Sequence, residues 1–329
     1  MAYRADAQNG YGAGGGAPPD RRRGWALILA GGDGTRLRPL TRRIAGDERP
    51  KQFCPILGSE TLLDRTRRRT ALLIPPRRTL LSLTQSHQRF YAPLLADVAP
   101  GCLVVQPGNR STTPAILYGL LRLALQAPDD PVVILPSDHF FSDDGAFMAH
   151  VAAALEAVTA RPDLVILLGV APDSPEMEYG WIEPAEAIPA DGPCPLFRVS
   201  RFWEKPSPPL AQTLLARGCL WNTFVMVGAV STFLALIRSI APGLYEAFLR
   251  VRPSLGTPAE AEAVRALYAA LPSMNFSDYI LAGSPPNLAV LPVHEVGWSD
   301  WGESERVLAA LARMGIRPAW AEVGAAKPR

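Results

Sequence analysis

The sequence has little that would direct the protein to a membrane or to an oxidising compartment. No apolar run reaches the roughly 18 residues that a membrane-spanning helix needs, and the N-terminus lacks the apolar core of a signal peptide. The four cysteines are scattered among 329 residues without a C-x-x-C pair. Such cysteines are typical of reduced, mostly buried thiols. We therefore expect a cytoplasmic protein.

An excess of charge of one sign is also missing. The chain has 33 basic and 31 acidic residues, which gives a formal net charge of +2. This balance gives no general argument for a nucleic-acid partner. Residues 1–23 are rich in Gly, Ala, Asp and Arg, a composition that predicts a disordered leader. The remaining length suits one large domain, with or without an appendage.

Strand-like and helix-like segments alternate from Gly24 onward. Strand-like runs cover 79–84, 102–106, 132–136 and 164–170, and helix-like stretches cover 114–127 and 146–160. This alternation predicts an α/β, Rossmann-like fold in which a mostly parallel mixed sheet carries helices on both faces. Ligands of such sheets bind beyond the carboxyl ends of the strands. We therefore expect the chemically active side chains at those ends.

The most informative motif is a glycine-rich loop that follows a short apolar strand. Residues 25–30 are almost purely apolar, and Gly31, Gly32 and Gly34 follow them. Glycines let backbone N–H groups approach a phosphate closely. Arg36 then adds positive charge, and Lys51 follows in a Pro-Lys-Gln-Phe segment. The motif predicts a phosphate-binding loop, with a tight turn that binds no ligand as the alternative.

Two better-known glycine loops do not match this segment. A Walker A loop ends in Gly-Lys-Ser/Thr, whereas Gly34 is followed by Thr35 and Arg36. A dinucleotide fingerprint needs a third glycine and a carboxylate about twenty residues further on. The chain has Leu37 and Lys51 at those positions. The loop therefore belongs to another class of phosphate site.

Two aspartates are candidate ligands for Mg²⁺. Asp138 follows the apolar run 132–136, and Asp300 lies among aromatic residues and glycines in the segment 297–302. Mg²⁺ is commonly held by one or two carboxylates together with phosphate oxygens. We predict that the two aspartates converge on one ion. For Asp138 alone, a turn or cap aspartate is an open alternative, and we interpret the neighbouring His139 as structural.

Three later segments place polar groups beside aromatic residues, as sugar sites do. They are 178–183, 202–206 and 220–224. Lys205 in the second segment supplies the positive charge that a sugar phosphate needs. For each segment taken alone, an ordinary amphipathic strand is the alternative.

Taken in order, these motifs resemble those of the sugar-1-phosphate nucleotidyltransferases, over about residues 25–301. Pro-Lys-Gln-Phe at 50–53 and the segment 109–115 favour the mannose-1-phosphate guanylyltransferase branch. The resemblance implies a nucleotide-diphospho-sugar transferase fold. We therefore divide the chain into the leader at 1–23, a nucleotidyltransferase domain at 24–301, which the resemblance covers, and a short C-terminal helix and tail at 302–329.

The resemblance also implies an activity and a role for each matching residue. The activity is transfer of GMP from GTP onto mannose 1-phosphate, with Mg²⁺ as cofactor and neither nucleic acid nor membrane as partner. The implied catalytic residues are Arg36, Lys51 and Asp138, and the implied Mg²⁺ ligands are Asp138 and Asp300. The implied nucleotide-binding residues are Leu29, Ala30, Gly31, Gly32, Gly34, Thr35, Arg36, Gln106, Gly108, Thr112 and Ser137. The implied sugar-phosphate-binding residues are Tyr179, Gly180, Glu204, Lys205 and Asn222.

Several residues depart from the pattern of that family. Arg38, Ser111, Thr113 and Phe224 stand where the family usually has other residues, and Phe224 replaces a glycine beside the sugar site. The same reaction with another nucleotide or sugar therefore stays open, as does a catalytically silent regulator that binds a sugar nucleotide. An amphipathic helix at 303–314 is expected either to close the fold or to join a homodimer interface.

Overall fold

The computed structural model describes residues 24–189, 194–283 and 285–322, so the predicted leader at 1–23 lies outside the described residues. Within this part of the chain nine strands form one sheet. The strands are β1 (Trp25–Leu29), β2 (Thr79–Thr84), β3 (Leu103–Gln106), β4 (Pro131–Pro136), β5 (Val165–Val170), β6 (Gly180–Ile188), β7 (Leu196–Glu204), β8 (Leu220–Ala229) and β9 (Leu288–Val293).

Helices connect most of these strands. They are α1 (Arg38–Ala45), α2 (Leu62–Ala71), α3 (Gln88–Tyr91), α4 (Thr112–Leu123), α5 (Asp144–Ala160), α6 (Pro208–Ala216), α7 (Val230–Ile240), α8 (Pro242–Val251), α9 (Glu260–Ala270), α10 (Ser304–Arg313) and α11 (Ala319–Glu322). The predicted strands and the longer predicted helices occur where the alternating pattern places them.

The sheet is mixed, and it is less parallel than predicted. Its order is β3-β2-β1-β4-β8-β5-β9-β7-β6. The pairs β1–β2, β2–β3, β1–β4 and β5–β9 are parallel. Every pair of the described sheet that includes β6, β7 or β8 is antiparallel. The prediction of a mostly parallel sheet is thus wrong for β6, β7 and β8, each of which runs antiparallel to the strands that it pairs with.

The core lies on both faces of the sheet, as expected for this architecture. In β1, Ala26 and Ile28 face one cluster, which includes Phe147 and Val151 of α5. Leu27 faces the opposite cluster, which α4, α7, α8 and α9 cover. Alternate side chains of a strand point to opposite faces, so an unbroken apolar run predicts burial on both sides.

A smaller third cluster joins the two ends of the described chain. Leu37 and Leu40 pack with Val307 and Leu311 of α10 and with the fully buried Trp301. The predicted C-terminal helix therefore closes the fold beside the glycine loop. In the described part of the chain, no helix is both long and apolar enough to cross a membrane.

Candidate functional site

One cleft collects the carboxyl ends of β1, β3, β4 and β7 and the first residues of β6 and β8. Its volume is about 400 Å³, within the usual range for small-molecule sites. Because β8 runs antiparallel to β4, its N-terminal residues reach the same edge as the carboxyl end of β4. The lining residues are Leu29, Gly31, Gly32, Arg36, Gln52, Ser82, Gln106, Asn109, Ser111, Thr112, Ala115, Pro136, Ser137, Asp138, His139, Glu178, Tyr179, Gly180, Glu204, Lys205, Asn222, Phe224, Asn275, Ser277, Trp298 and Asp300.

Most of the predicted site residues line this cleft. Five of them do not, namely Ala30, Gly34, Thr35, Lys51 and Gly108. Ala30, Gly34 and Lys51 contribute to the scaffold of the loop or of the aspartates. Gln52, Glu178 and Trp298 also line the cleft; they lie in segments that the motifs single out but received no role of their own. Asn275 and Ser277 lie outside every motif, and only the fold brings them to the site.

The glycine loop is held from behind by the Lys51 segment. Gln52 Nε2 donates hydrogen bonds to the carbonyl oxygens of Ala30 (3.1 Å) and Gly32 (2.7 Å). Gly34 has a φ of +57°, and a Cβ there would lie 3.0 Å from the backbone N of Lys51. A side chain at this position would meet both backbone strain and a close contact. The loop and the segment after it therefore form one packed unit.

A second tie fixes the loop from the β3 side. Asp33 Oδ1 lies 3.0 Å from His87 Nε2, and Asp33 Oδ2 accepts a hydrogen bond of 2.8 Å from Asn109 Nδ2. Burial lowers the pKa of His87, against the opposing effect of Asp33. The motifs did not predict this contact. The only hint of it in the sequence is that the glycine loop contains an aspartate.

The segment after β3 is paired with residues 274–276. Thr112 Oγ1 accepts a hydrogen bond of 2.7 Å from the backbone N of Phe276. Gln106 is buried, with its Nε2 donating to Ser82 Oγ (3.2 Å) and its Oε1 accepting from Tyr268 (3.1 Å). Gln106 thus shapes the cleft wall, whereas Asn109 and Ser111 lie at its surface.

Lys51 joins the two predicted metal ligands. Its ammonium lies 3.3 Å from Asp138 Oδ2 and donates hydrogen bonds to the carbonyl oxygens of Asp300 (2.5 Å) and Trp301 (3.1 Å). The Lys51 side chain is 9% exposed, against 30% for Asp138. The structure thereby brings Lys51, Asp138 and Asp300 together, with the lysine behind the two aspartates that face the cleft.

Asp300 is a mostly buried carboxylate that accepts several hydrogen bonds. Its Oδ1 accepts hydrogen bonds from the Tyr179 hydroxyl (3.1 Å), the Gly302 backbone N (2.9 Å) and Arg306 Nη1 (3.1 Å). Burial would raise the pKa of Asp300, but the charge of Lys51 and these donors bring it below its ordinary value. Asp300 is therefore ionised at neutral pH. Arg306 comes from α10 and was not found by motif analysis.

His139 lines the cleft beside the ring of Trp298. Its Nδ1 accepts a hydrogen bond of 3.2 Å from the indole of Trp298, and burial lowers its pKa. A neutral ring held by an indole agrees with the structural interpretation of His139, although the ring does line the cleft.

The donor set of Asp138 and Asp300 matches the requirements of Mg²⁺. Among the described residues, no group of three or more His, Cys, Asp or Glu side chains has the arrangement of a metal site. A closed protein cage, as for structural zinc, is therefore not formed by these residues. Mg²⁺ needs only one or two carboxylates when substrate phosphates supply further oxygens, and Asp138 and Asp300 meet that need.

Two exposed cations, Arg36 and Lys205, line the cleft, and one carboxylate contacts both. Glu178 Oε2 lies 3.2 Å from Arg36 Nη1 and 3.1 Å from Lys205 Nζ. Arg36 Nη1 also lies 3.1 Å from Glu303 Oε1 at the start of α10. About half of each cationic side chain is accessible to solvent. This arrangement unites the two cations that were predicted for separate phosphates.

The wall opposite the glycine loop carries the predicted sugar-phosphate residues. A Cβ on Gly180 would lie 2.7 Å from the ring of Phe202 and 2.9 Å from Glu204 Oε2, so a larger residue there would force one of these side chains to shift. Burial, aided by the charge of Asp278, raises the pKa of Glu204 to about 7. Phe224 has a φ of +58°, a conformation that favours glycine.

The chain belongs to the nucleotidyl transferase family, whose model matches residues 25–314. It is similar to the xanthan biosynthesis protein XanB of Xanthomonas campestris pv. campestris, with 31% identity over 86% of this chain and 58% of that protein. It is also similar to the mannose-1-phosphate guanylyltransferase of Escherichia coli, with 27% identity over 84% of this chain and 58% of that protein. The chain therefore spans somewhat more than half the length of these relatives.

A solved structure shares the fold. A protein of Thermus thermophilus described as mannose-1-phosphate geranyltransferase aligns with a TM-score of 0.73 and 32% identity, over 87% of this chain and 79% of that chain. The predicted resemblance to sugar-1-phosphate nucleotidyltransferases is thereby confirmed at the level of family and fold.

Proposed function

We propose that the chain catalyses a Mg²⁺-dependent transfer of GMP from GTP onto mannose 1-phosphate, which yields GDP-mannose and pyrophosphate. The observation that carries this proposal is the contact of Lys51 with Asp138 Oδ2 and the Asp300 carbonyl, directly behind a cleft that both aspartates line together with Arg36 and Lys205. This set provides charge compensation for two phosphorylated substrates at one place.

The two walls of the cleft suit different substrates. The glycine loop, Gln106 and Thr112 form one wall, where the backbone N–H groups of a glycine loop suit the phosphates of a nucleotide. Gly180, Glu204 and Asn222 form the other wall, where polar groups beside aromatic rings suit a sugar. We assign the nucleotide to the first wall and the sugar phosphate to the second.

The proposed reaction needs charge compensation more than it needs a base. A phosphate oxygen of the sugar phosphate attacks the α-phosphorus of the nucleotide, a new P–O bond forms, and the bond to the β-phosphate breaks as pyrophosphate leaves. The attacking oxygen is already anionic, so no proton has to be removed. Bound Mg²⁺ would supply further neutralisation of phosphate charge from Asp138 and Asp300.

The cations of the cleft would offset the repulsion between the two substrates. At an effective dielectric constant near 20, opposite charges about 4 Å apart attract by roughly 4 kcal/mol before desolvation. A loss of even half of that value from the transition state slows a reaction by more than about tenfold. Arg36, Lys51 and Lys205 would therefore each contribute measurably to the rate.

The proposal of GTP and mannose 1-phosphate as substrates has a different basis from the proposal of the reaction type. The charged cluster supports nucleotidyl transfer, whereas the named base and sugar follow the names of the relatives. Ser111 and Phe224 line the two walls. They are the residues of this chain on which those choices would depend.

The test is a matrix of four nucleoside triphosphates against several sugar 1-phosphates with Mg²⁺, read as pyrophosphate release. We expect GTP with mannose 1-phosphate to be the best pair and Asp138→Ala to abolish its turnover. Asp163→Ala is the matched control, since Asp163 is a surface carboxylate paired with Arg161. A better pair would overturn the named substrates. Absence of release from every pair would favour the silent regulator.

A further inference from the structure

Glu178 occupies a position between the two proposed phosphate sites. A single oxygen of its carboxylate contacts Arg36 on the nucleotide side (3.2 Å) and Lys205 on the sugar side (3.1 Å). All three residues line the same cleft. The lysine and arginine together hold the pKa of Glu178 below its usual range, so the carboxylate is ionised at neutral pH. Each cation is thus already paired with an anion of the protein itself.

The backbone keeps this carboxylate close to Lys205. The backbone N of Lys205 donates a hydrogen bond of 3.2 Å to the carbonyl oxygen of Tyr179, the residue after Glu178. Lys205 also has a φ of +46°, which turns the chain at the end of β7. Unlike the backbone, the side chains of Glu178 and Lys205 can exchange partners, since they are 44% and 49% exposed. The main chain is fixed while the ion pair is replaceable.

A phosphate that binds either cation must compete with Glu178. The Glu178 carboxylate reduces the positive charge that an incoming phosphate meets. The first substrate therefore binds less tightly than it would in the absence of this carboxylate. Once that phosphate has displaced Glu178, the second cation has lost its contact with Glu178 as well, although Arg36 keeps its contact with Glu303. The second substrate then binds without repeating the displacement.

We propose that Glu178 is an internal anion that couples the two substrates, so that binding of either one raises the affinity for the other. Such coupling is reciprocal by thermodynamic necessity. The proposal rests on the proposed function, because it takes Arg36 and Lys205 as the contacts of two different substrate phosphates. It adds a residue that weakens binding of each substrate alone and favours the complex that holds both.

Glu178→Gln is the decisive variant, because it removes the charge and keeps the size of the side chain. The measurement is the Kd of mannose 1-phosphate by titration calorimetry in the presence of Mg²⁺. It is made once without nucleotide and once with saturating α,β-methylene GTP, in which a P–C bond replaces the bond that the reaction would break. Exposed ion pairs contribute about 0.2–1 kcal/mol. In the variant we therefore expect each ligand alone to bind up to about fivefold more tightly. The gain in sugar-phosphate affinity caused by the nucleotide should shrink by a similar factor.

Glu303→Gln is the matched control. Glu303 contacts Arg36 in the same way but does not contact Lys205. This variant should therefore tighten nucleotide binding, leave the Kd of mannose 1-phosphate alone unchanged, and keep the coupling. Thermal melts of both variants should match the wild type, since the three carboxylate contacts are exposed pairs.

The inference is overturned if Glu178→Gln leaves the coupling ratio at its wild-type value, or if it weakens binding of either ligand. Failure of the proposed function gives a different result. In that case the wild type releases no pyrophosphate from any substrate pair, whatever the binding measurements show. If neither ligand binds the wild type, the inference falls together with the proposed function.

Discussion

The ammonium group of Lys51 lies 3.3 Å from Asp138 Oδ2 and also bonds the carbonyl oxygens of Asp300 and Trp301. This contact connects three segments that are far apart in the sequence. A buried ammonium is costly unless it is paired and hydrogen-bonded, and Lys51 meets that requirement with one carboxylate and two carbonyl groups. The same atoms that stabilise Lys51 therefore fix the two aspartates at the cleft.

Lys51→Met should abolish turnover and leave the fold intact. The change removes the charge but keeps an unbranched side chain, so the proposed charge compensation is lost. We expect kcat to fall by at least about a hundredfold, which corresponds to ~2.7 kcal/mol. The two carbonyl groups lose a donor, which should destabilise the protein by about 1–3 kcal/mol. Pyrophosphate release and a urea melt measure the two effects. Near-wild-type turnover would contradict the assignment.

Removal of divalent metal should stop the reaction. EDTA is expected to abolish pyrophosphate release from GTP and mannose 1-phosphate, and added Mg²⁺ to restore it. Asp300→Asn should raise the Mg²⁺ concentration for half-maximal rate by about tenfold or more, equivalent to ~1.4 kcal/mol of lost affinity. The amide keeps the shape that Tyr179 and Gly302 contact. An unchanged Mg²⁺ dependence in this variant would remove Asp300 from the metal site.

Glu204 should make stability depend on pH in a defined direction. Burial raises its pKa to about 7 in the folded protein, from an ordinary value of 4.5. The folded state therefore binds the proton more tightly than the unfolded state. This contribution to stability is complete below about pH 4.5 and is lost as the pH rises through about 7. The side chain of Glu204→Gln is neutral at every pH, so this variant should not lose stability from this group as the pH rises.

The measurement is the Tm of Glu204→Gln minus that of the wild type, from about pH 5 to about pH 8, a range that spans the loss. We expect this difference to increase with pH. The histidines with lowered pKa values, His87, His139 and His150, act in the opposite direction. They are present in both proteins and cancel in the difference. A constant difference would show that Glu204 is ionised throughout this range.

Asp33 should affect nucleotide binding without touching the chemistry. Its contacts with His87 and Asn109 tie the glycine loop to the segment after β3. Asp33→Ala removes both, and we expect the KM for the nucleotide to rise by about three- to tenfold, with little change in kcat. Asp163→Ala again serves as the surface control. A fall in kcat with unchanged KM would place Asp33 in the reaction itself.

Phe224 should restrict the sugar that the cleft accepts. It lines the sugar wall at a φ of +58°. Phe224→Gly relieves the backbone strain, which costs roughly 1 kcal/mol, but loses packing of the ring against the core. Phe224→Ala widens the cleft equally and keeps the strain. Both variants should raise kcat/KM for bulkier sugar 1-phosphates relative to mannose 1-phosphate by at least about fivefold. Equal ratios in all three proteins would exclude Phe224 as a determinant.

The sequence predicted the parts of the site that lie at strand ends. The apolar runs before Gly31 and before Asp138 are long enough to predict buried strands, and parallel strands present their carboxyl ends at one edge. The convergence of the glycine loop and Asp138 on one cleft was therefore accessible to sequence reasoning. Asp300 was predicted from its aromatic and glycine neighbours, and the structure places it in the same cleft. The location of α10 was not, since an amphipathic helix does not specify which surface its apolar side covers.

The sequence by itself determined the local conformations of this protein, because glycine positions, apolar runs and charged motifs act over a few residues. Only the tertiary structure decided the direction of β8, the contact of Arg306 with Asp300, and the bridge from Arg36 through Glu178 to Lys205. These features join segments that are remote in the chain, and their geometry follows from how the whole sheet and its helices pack. A sequence motif indicates which chemical groups are present, but the packing of the whole chain determines which of them contact one another.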